Sequence, residues 1–196
     1  MNILFIGNSH TYFNDMPALF RRVCTQNRET VRVAMLAHGG KGLDFHAAEP
    51  EARFNICCGE YDVVVLQHIA HPFGEEEAFF AAAKTLDGWI RQSGARTVLY
   101  MTWSEKNNPE GQARMTDAYK RLGEELGALV APVGTAWQAH RAAYPETELY
   151  FSDGEHASPE GSLLAAYTLF GTIFGRKPVC PPEEASLCEE AWKAQP

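Results

Sequence analysis

Near the end of the chain, Asp153-Gly154-Glu155-His156 sets a carboxylate and an imidazole three positions apart. That separation lets both side chains lie on one side of a single turn. The carboxylate can then accept one ring N–H while the other ring nitrogen stays free to act as a base. Near the start, Gly7-Asn8-Ser9-His10-Thr11 carries a hydroxyl, a poor nucleophile until a base removes its proton during attack. A tetrahedral intermediate on Ser9 would need N–H donors aimed at its oxygen. The glycine-rich His38-Gly39-Gly40-Lys41-Gly42 offers close backbone approach, and Gln67 offers a carboxamide. A hydroxyl, an imidazole, a carboxylate and amide donors are the parts of acyl transfer.

Groups so far apart in sequence need a scaffold that gathers them. Apolar, β-branched runs at residues 3–7, 31–37, 61–67, 96–101 and 128–133 predict five strands. Their starts lie about thirty residues apart, the length of a strand, a crossover helix and two loops. Between them, Met16, Leu19, Phe20 and Val23 recur at helical spacing, as do Phe79, Ala83, Leu86 and Ile90. Met115, Tyr119, Leu122 and Leu126 form a third stripe, and Leu163, Tyr167, Phe170 and Phe174 a fourth. Asn14 or Asp15 with Pro17 marks the start of the first helix, and Ser158-Pro159 the start of the last. Val63-Val64-Val65-Leu66 is apolar on both faces, as a parallel strand covered on both sides must be. Right-handed crossovers then give a three-layer α/β/α sandwich. In such sheets ligands bind beyond the carboxyl ends of the strands, where Ser9, Gly40, Gln67 and Trp103 fall. No linker or repeat divides the chain, so a single domain is expected over residues 1–196. Lys177-Pro178-Val179-Cys180-Pro181-Pro182 breaks the last helix and leads into a short flap at about 176–196, with Ala185, Cys188 and Trp192 packed back on the body.

Charge and composition remove several classes of partner. Against 25 acidic residues stand 17 basic ones, and the net charge of −8 repels phosphate backbones and anionic lipid. Nucleic acid and membrane surfaces are therefore not expected partners. No apolar run approaches the ~20 residues of a membrane span. The start of the chain lacks a basic lead-in and reads as a strand instead of a signal peptide. The 5 cysteines, an odd number without C-x-x-C spacing, fit reduced thiols in a cytoplasm. No P-loop is present and Gly39-Gly40-Lys41-Gly42 lacks the spacing of a dinucleotide fingerprint, so no cofactor is expected.

These blocks resemble the SGNH or GDSL-like hydrolases over nearly the whole chain. The likeness runs from Ile3-Leu4-Phe5-Ile6-Gly7-Asn8-Ser9 to Asp153-Gly154-Glu155-His156-Ala157-Ser158-Pro159-Glu160-Gly161. The second motif, an aspartate and a histidine followed by a Ser-Pro helix start, is the more specific. The resemblance implies a Ser-His-Asp hydrolase on a flavodoxin-like sheet. Ser9 matches the nucleophile, His156 the general base and Asp153 its orienting partner. Gly40 matches the glycine whose backbone N–H helps form the oxyanion hole with the N–H of Ser9. Where the family's third block has asparagine this chain has Gln67, whose side-chain N–H is expected to be the third donor. Glutamine here resembles the carbohydrate acetylesterase branch. The implied reaction is hydrolysis of a short-chain, foremost acetyl, ester on a carbohydrate or small metabolite.

Plainer readings stand beside these. Ser9 could simply turn its loop, Gly40 could serve a turn, Gln67 could end a strand, and Asp153 with His156 could form a helix entry. His10, His68, His71, Phe73 and Trp103 are candidates for the substrate-binding rim, the two aromatics by stacking on a sugar; equally, those aromatics could wall off the core. The rim histidines, with His38, also admit a metal-dependent hydrolase, although no H-E-x-x-H motif is present. A carbohydrate-binding module without turnover is a third reading. Cys24 and the Cys57-Cys58 pair read as small apolar core residues.

Overall fold

In the computed structural model, which describes residues 1–196, five strands form one parallel sheet. They are β1 (Asn2–Gly7), β2 (Arg32–Ala37), β3 (Val63–Leu66), β4 (Arg96–Met101) and β5 (Leu129–Pro132), in the order β2-β1-β3-β4-β5. Ile3 pairs with Val33 on one side and Val63 on the other, so β1 is an interior strand, flanked by β2 and β3. The strand alternation sorts side chains between two cores. Ile3, Phe5, Val63, Val65, Val98 and Tyr100 face α2 (Met16–Gln26) and α8 (Pro159–Phe174). Leu4, Ile6, Val64, Leu66, Leu99 and Met101 face the other layer, which includes α5 (Glu76–Gln92) and α6 (Gly111–Leu126). The α/β class and the five-stranded parallel sheet expected from the periodicity are thus present.

The long helices keep their predicted stripes. Phe79, Ala83, Leu86 and Ile90 of α5 are all buried, as are Met115, Tyr119 and Leu122 of α6. Ser158 caps α8 by accepting the Gly161 N–H at 3.0 Å. That helix is buried almost all round because the sheet, α2 and α9 (Ala185–Lys193) enclose it. Four helices went unread in the sequence: α1 (Ser9–Tyr12), α3 (Leu43–Ala48), α4 (Pro50–Cys58) and α7 (Val133–Ala143). The first two are too short to show a period. In α4 only Ala52 and Ile56 reach the core, so Cys57 and Cys58 project outward, contrary to the core packing expected of them. Cys24 is buried, as expected. In α9 the packed stripe is Leu187, Cys188 and Ala191, while Ala185 is exposed and Trp192 only half-buried. No helix is long and apolar enough to cross a membrane.

The strand order reverses between β1 and β3, since the chain leaves β1 for β2 on one side and returns to β3 on the other. A crevice at the carboxyl ends of these strands is the ligand position that doubly wound sheets provide.

Candidate active site

The backbone leaves β1 through Asn8, which caps α1: its Oδ1 accepts the His10 N–H at 3.0 Å. The Asn8 Nδ2 group donates to Lys41 O at 2.9 Å and so ties the Ser9 loop to the glycine-rich loop after β2. Ser9 opens α1, and its Oγ lies 2.8 Å from His156 Nε2. On the far side of the ring, His156 Nδ1 lies 2.7 Å from Asp153 Oδ2. The other carboxylate oxygen accepts the N–H groups of Glu155 and His156, each at 2.9 Å. Burial alone would raise the Asp153 carboxyl, but these N–H donors and the imidazole outweigh it and hold it at about 2. An ionised carboxylate accepts from Nδ1–H, which leaves Nε2 as the lone-pair side facing the serine.

The imidazole is held from several directions. Its ring is stacked against Phe13 at 4.4 Å and 20°, and against His10 at 5.0 Å and 24°. Phe13 begins a tight turn in which Asn14 and Asp15 both take left-handed backbone, with φ of 52° and 56°. Such conformations cost about 1–3 kcal/mol each and persist where surrounding contacts over-determine them. Here Asn14 Nδ2 donates to Ala157 O and to Ser162 Oγ, both at 2.9 Å, which fastens the turn to the segment carrying His156. Trp103 adds a bond from its Nε1–H to Glu155 O at 2.8 Å.

Two backbone amides of the tied loops are unpaired. The N–H groups of Ser9 and Gly40 donate to no protein oxygen. Gly40 has φ of 69°, a conformation natural to glycine, and nothing lies where a Cβ would project. Gln67 does something other than what the sequence led us to expect. It is fully buried, and its Oε1 accepts Asn8 N–H and Thr11 Oγ1–H, each at 2.9 Å. The Asn8 N–H fixes which end of the amide is oxygen, so the NH₂ end points to His68 O and donates there. The carboxamide is packed under the Ser9 loop so closely that a Cβ on Gly7 would collide with it and with Thr11. Both ends of the Gln67 amide are engaged in holding this loop, and neither is directed at an oxyanion.

The rim histidines differ from one another. His10 is buried, and burial, then the neighbouring His71 and His156 rings, push it down to about 3. His71 donates through Nε2 to Trp103 O at 2.9 Å. Its Nδ1 and the Nε2 of His10 are buried without a protein partner, and the two rings meet edge-on at 4.8 Å. His68 accepts the Leu43 N–H on Nδ1 at 3.1 Å, and burial pushes it down to about 4. His38 sits at the surface beside Glu51. A fifth, His46, was missed in the sequence: it is buried in α3 and its Nε2–H donates to Gly7 O at 2.8 Å, supporting the Ser9 loop from beneath. Its only sequence signal was a place one turn after Gly42 in a helix too short to recognise. No group of three His, Cys, Asp or Glu side chains is placed to hold a metal ion.

Neither aromatic candidate presents a free face to a sugar. Trp103 is 1% exposed and stacks on Trp137 at 3.9 Å and 8°. Phe73 is half-buried against Phe79 and Tyr119, with the Arg114 guanidinium 5.5 Å from its ring centre. A cavity of about 480 Å³ opens beside Asp153, lined by Glu105, Lys106, Glu148, Phe151 and Glu155 among others.

No protein-family model and no curated protein sequence matches the chain. Solved structures do. A DUF4886 family protein from Bacteroides uniformis superposes with a TM-score of 0.84 at 18% identity, covering 99% of this chain and 94% of its own. A GDSL-like lipase from Parabacteroides merdae gives 0.70 at 15% identity, covering 89% and 96%. Axe2, an acetylxylan esterase from Geobacillus stearothermophilus, gives 0.66 at 16% identity, covering 88% and 93%. The architecture of this chain is that of the SGNH or GDSL-like hydrolases.

Proposed function

We propose that the protein is a serine esterase that removes a short acyl group, foremost acetyl, from an oxygen of a carbohydrate or small metabolite. The observation that carries this reading is the unbroken chain Asp153–His156–Ser9, with contacts of 2.7 and 2.8 Å. Ser9 Oγ attacks the ester carbon while His156 Nε2 takes its proton, and Asp153 steadies the imidazolium that forms. The carbonyl oxygen, now negative, is met by the N–H groups of Ser9 and Gly40. Collapse breaks the ester C–O bond, and His156 returns the proton to the departing alcohol. Water then attacks the acyl carbon as His156 takes its proton, and collapse breaks the C–Oγ bond, with His156 returning the proton to Ser9 Oγ and the carboxylic acid released.

Substrate class rests on the surroundings. The acidic residues of the cavity beside Asp153 offer acceptors for hydroxyl groups and repel anionic substrates, which favours a neutral polyol as the alcohol part. The fold is shared with an acetylxylan esterase, which supports the acetyl assignment. The five free cysteines support a cytoplasmic setting. The test is hydrolysis of 4-nitrophenyl acetate by the wild type and Ser9→Ala, with mass analysis after treatment with a serine-directed phosphonate. The reading expects turnover and one adduct on Ser9 in the wild type, and neither in the variant. Equal rates in the two proteins would end it.

A further inference from the structure

We infer that His68 is the third oxyanion donor, presenting its Nε2–H to the carbonyl oxygen of a substrate attacked by Ser9. The inference rests on the serine esterase reading and concerns the donor position that Gln67 leaves unfilled.

The topology places the ring. His68 follows β3, and its ring touches the loop after β2: Leu43 N–H donates to Nδ1 at 3.1 Å, and a Cβ on Gly42 would lie 2.8 Å from Cε1. Because β1 runs between β2 and β3, a side chain joining those two loops passes over the carboxyl end of β1, where Asn8 leads into Ser9. The Leu43 N–H also fixes the tautomer. A ring nitrogen that accepts carries no proton, so the proton of the neutral imidazole is on Nε2. Nε2 has no protein acceptor and is not among the atoms sealed from solvent. It is therefore an unspent donor on the rim.

Two further features suit it to this role. The ring is immobilised, stacked on Phe79 at 4.6 Å and 15° and met edge-on by Phe73 at 6.3 Å. Burial keeps it neutral well below neutral pH, so it donates a hydrogen bond without surrendering a proton. It also approaches from the correct side. Phe79 belongs to the core on the α5 face, whereas Trp103, Tyr150 and Ala157, which surround the His156 segment, belong to the core on the α8 face. The surroundings of base and donor thus lie on opposite faces of the sheet, and in the proposed arrangement an ester carbon at Ser9 Oγ turns its oxygen away from His156 toward Gly40 and His68. In that step the new bond is Oγ–C, the proton moves from Oγ to His156 Nε2, and His68 keeps its own proton throughout. The Gln67 NH₂ donating to His68 O couples this ring's backbone to the nucleophile loop.

The experiment measures 4-nitrophenyl acetate hydrolysis by the wild type, Ser9→Ala, His68→Ala and His68→Gln, and follows imidazole ¹⁵N–¹H signals of the wild type before and after phosphonylation of Ser9. The expected loss for His68→Ala is about 10²–10³-fold in kcat with KM little changed. His68→Gln, which retains a side-chain N–H, recovers part of it. On phosphonylation the His68 Nε2–H resonance moves downfield, a response that simple packing of the ring would not produce. Unchanged kcat in His68→Ala, or an Nε2–H signal unmoved by the adduct, overturns the inference. If His68→Ala fails to fold, the resonance decides alone. Should Ser9→Ala be inactive while His68→Ala is fully active, only the His68 assignment falls; should Ser9→Ala match the wild type, the esterase reading falls with it.

Discussion

Replacing Gln67 with alanine separates two jobs for that side chain, as a donor to substrate or as a support for the Ser9 loop. Its Oε1 accepts from Asn8 N–H and from the Thr11 hydroxyl, and both partners belong to residues that are 1% exposed. Alanine leaves both donors buried and unpaired, at about 1–3 kcal/mol each, so the two together cost about 2–6 kcal/mol. For a chain of this size, 1 kcal/mol moves Tm by roughly 2–4 °C, which places the expected fall near 10 °C. Gln67→Leu, of similar volume but without the acceptor, should lose most of the same stability, which distinguishes orphaned donors from an emptied space. The assay is thermal unfolding of the three proteins followed by ester turnover at a temperature where all are folded. Activity falls too, because the orphaned Asn8 N–H adjoins Ser9 in the chain. An unchanged Tm combined with a 10²–10³-fold fall in kcat, the signature of a lost oxyanion donor, would refute the supporting role and return Gln67 to the hole.

Two other outcomes are expected. Phe13→Ala removes one ring stacked on His156, an interaction worth about 0.5–1.5 kcal/mol, and should lower kcat by up to roughly tenfold as the imidazole gains freedom; an unchanged kcat for 4-nitrophenyl acetate would show that the other restraints suffice. The second concerns acid. His68 and His10 are held neutral in the fold, at about 4 and about 3, against 6.5 when unfolded. Below pH 6.5 the unfolded chain takes up protons that the folded one refuses. Stability from this source is therefore intact above pH 6.5 and drains away as pH falls toward 4 for His68 and 3 for His10, by on the order of 3 kcal/mol for His68. Urea midpoints taken between pH 7 and pH 4 should fall steadily, and a flat profile would contradict the burial of these rings.

Much of the scaffold was legible because it depends on periodicity. Val63-Val64-Val65-Leu66 could only be a strand covered on both faces, and the stripes of α5 and α6 survived intact, since long helices must bury one continuous side. Short helices escaped notice: α1 spans four residues and α3 six, too few to display a period. The outward turn of Cys57 and Cys58 was equally hidden, because which side of α4 meets the core depends on its neighbours.

By itself the sequence determined which groups were available: a hydroxyl beside a strand end, an Asp-x-x-His turn ahead of a capped helix, glycines where backbone had to come close. Those are local matters of residue type and spacing. Only the tertiary structure decided what each long polar side chain would do. A carboxamide at residue 67 could as well donate to a ligand as buttress a loop, and the choice fell to Asn8 and Thr11, whose buried donors required an acceptor. The imidazole of the next residue had its proton placed by the amide of Leu43, the first residue of α3, 25 residues away in the chain. Hydrogen-bond partners are assigned by three-dimensional proximity, and burial makes an unmet donor too costly to leave, so the roles of Gln67 and His68 emerge only when the strands are side by side.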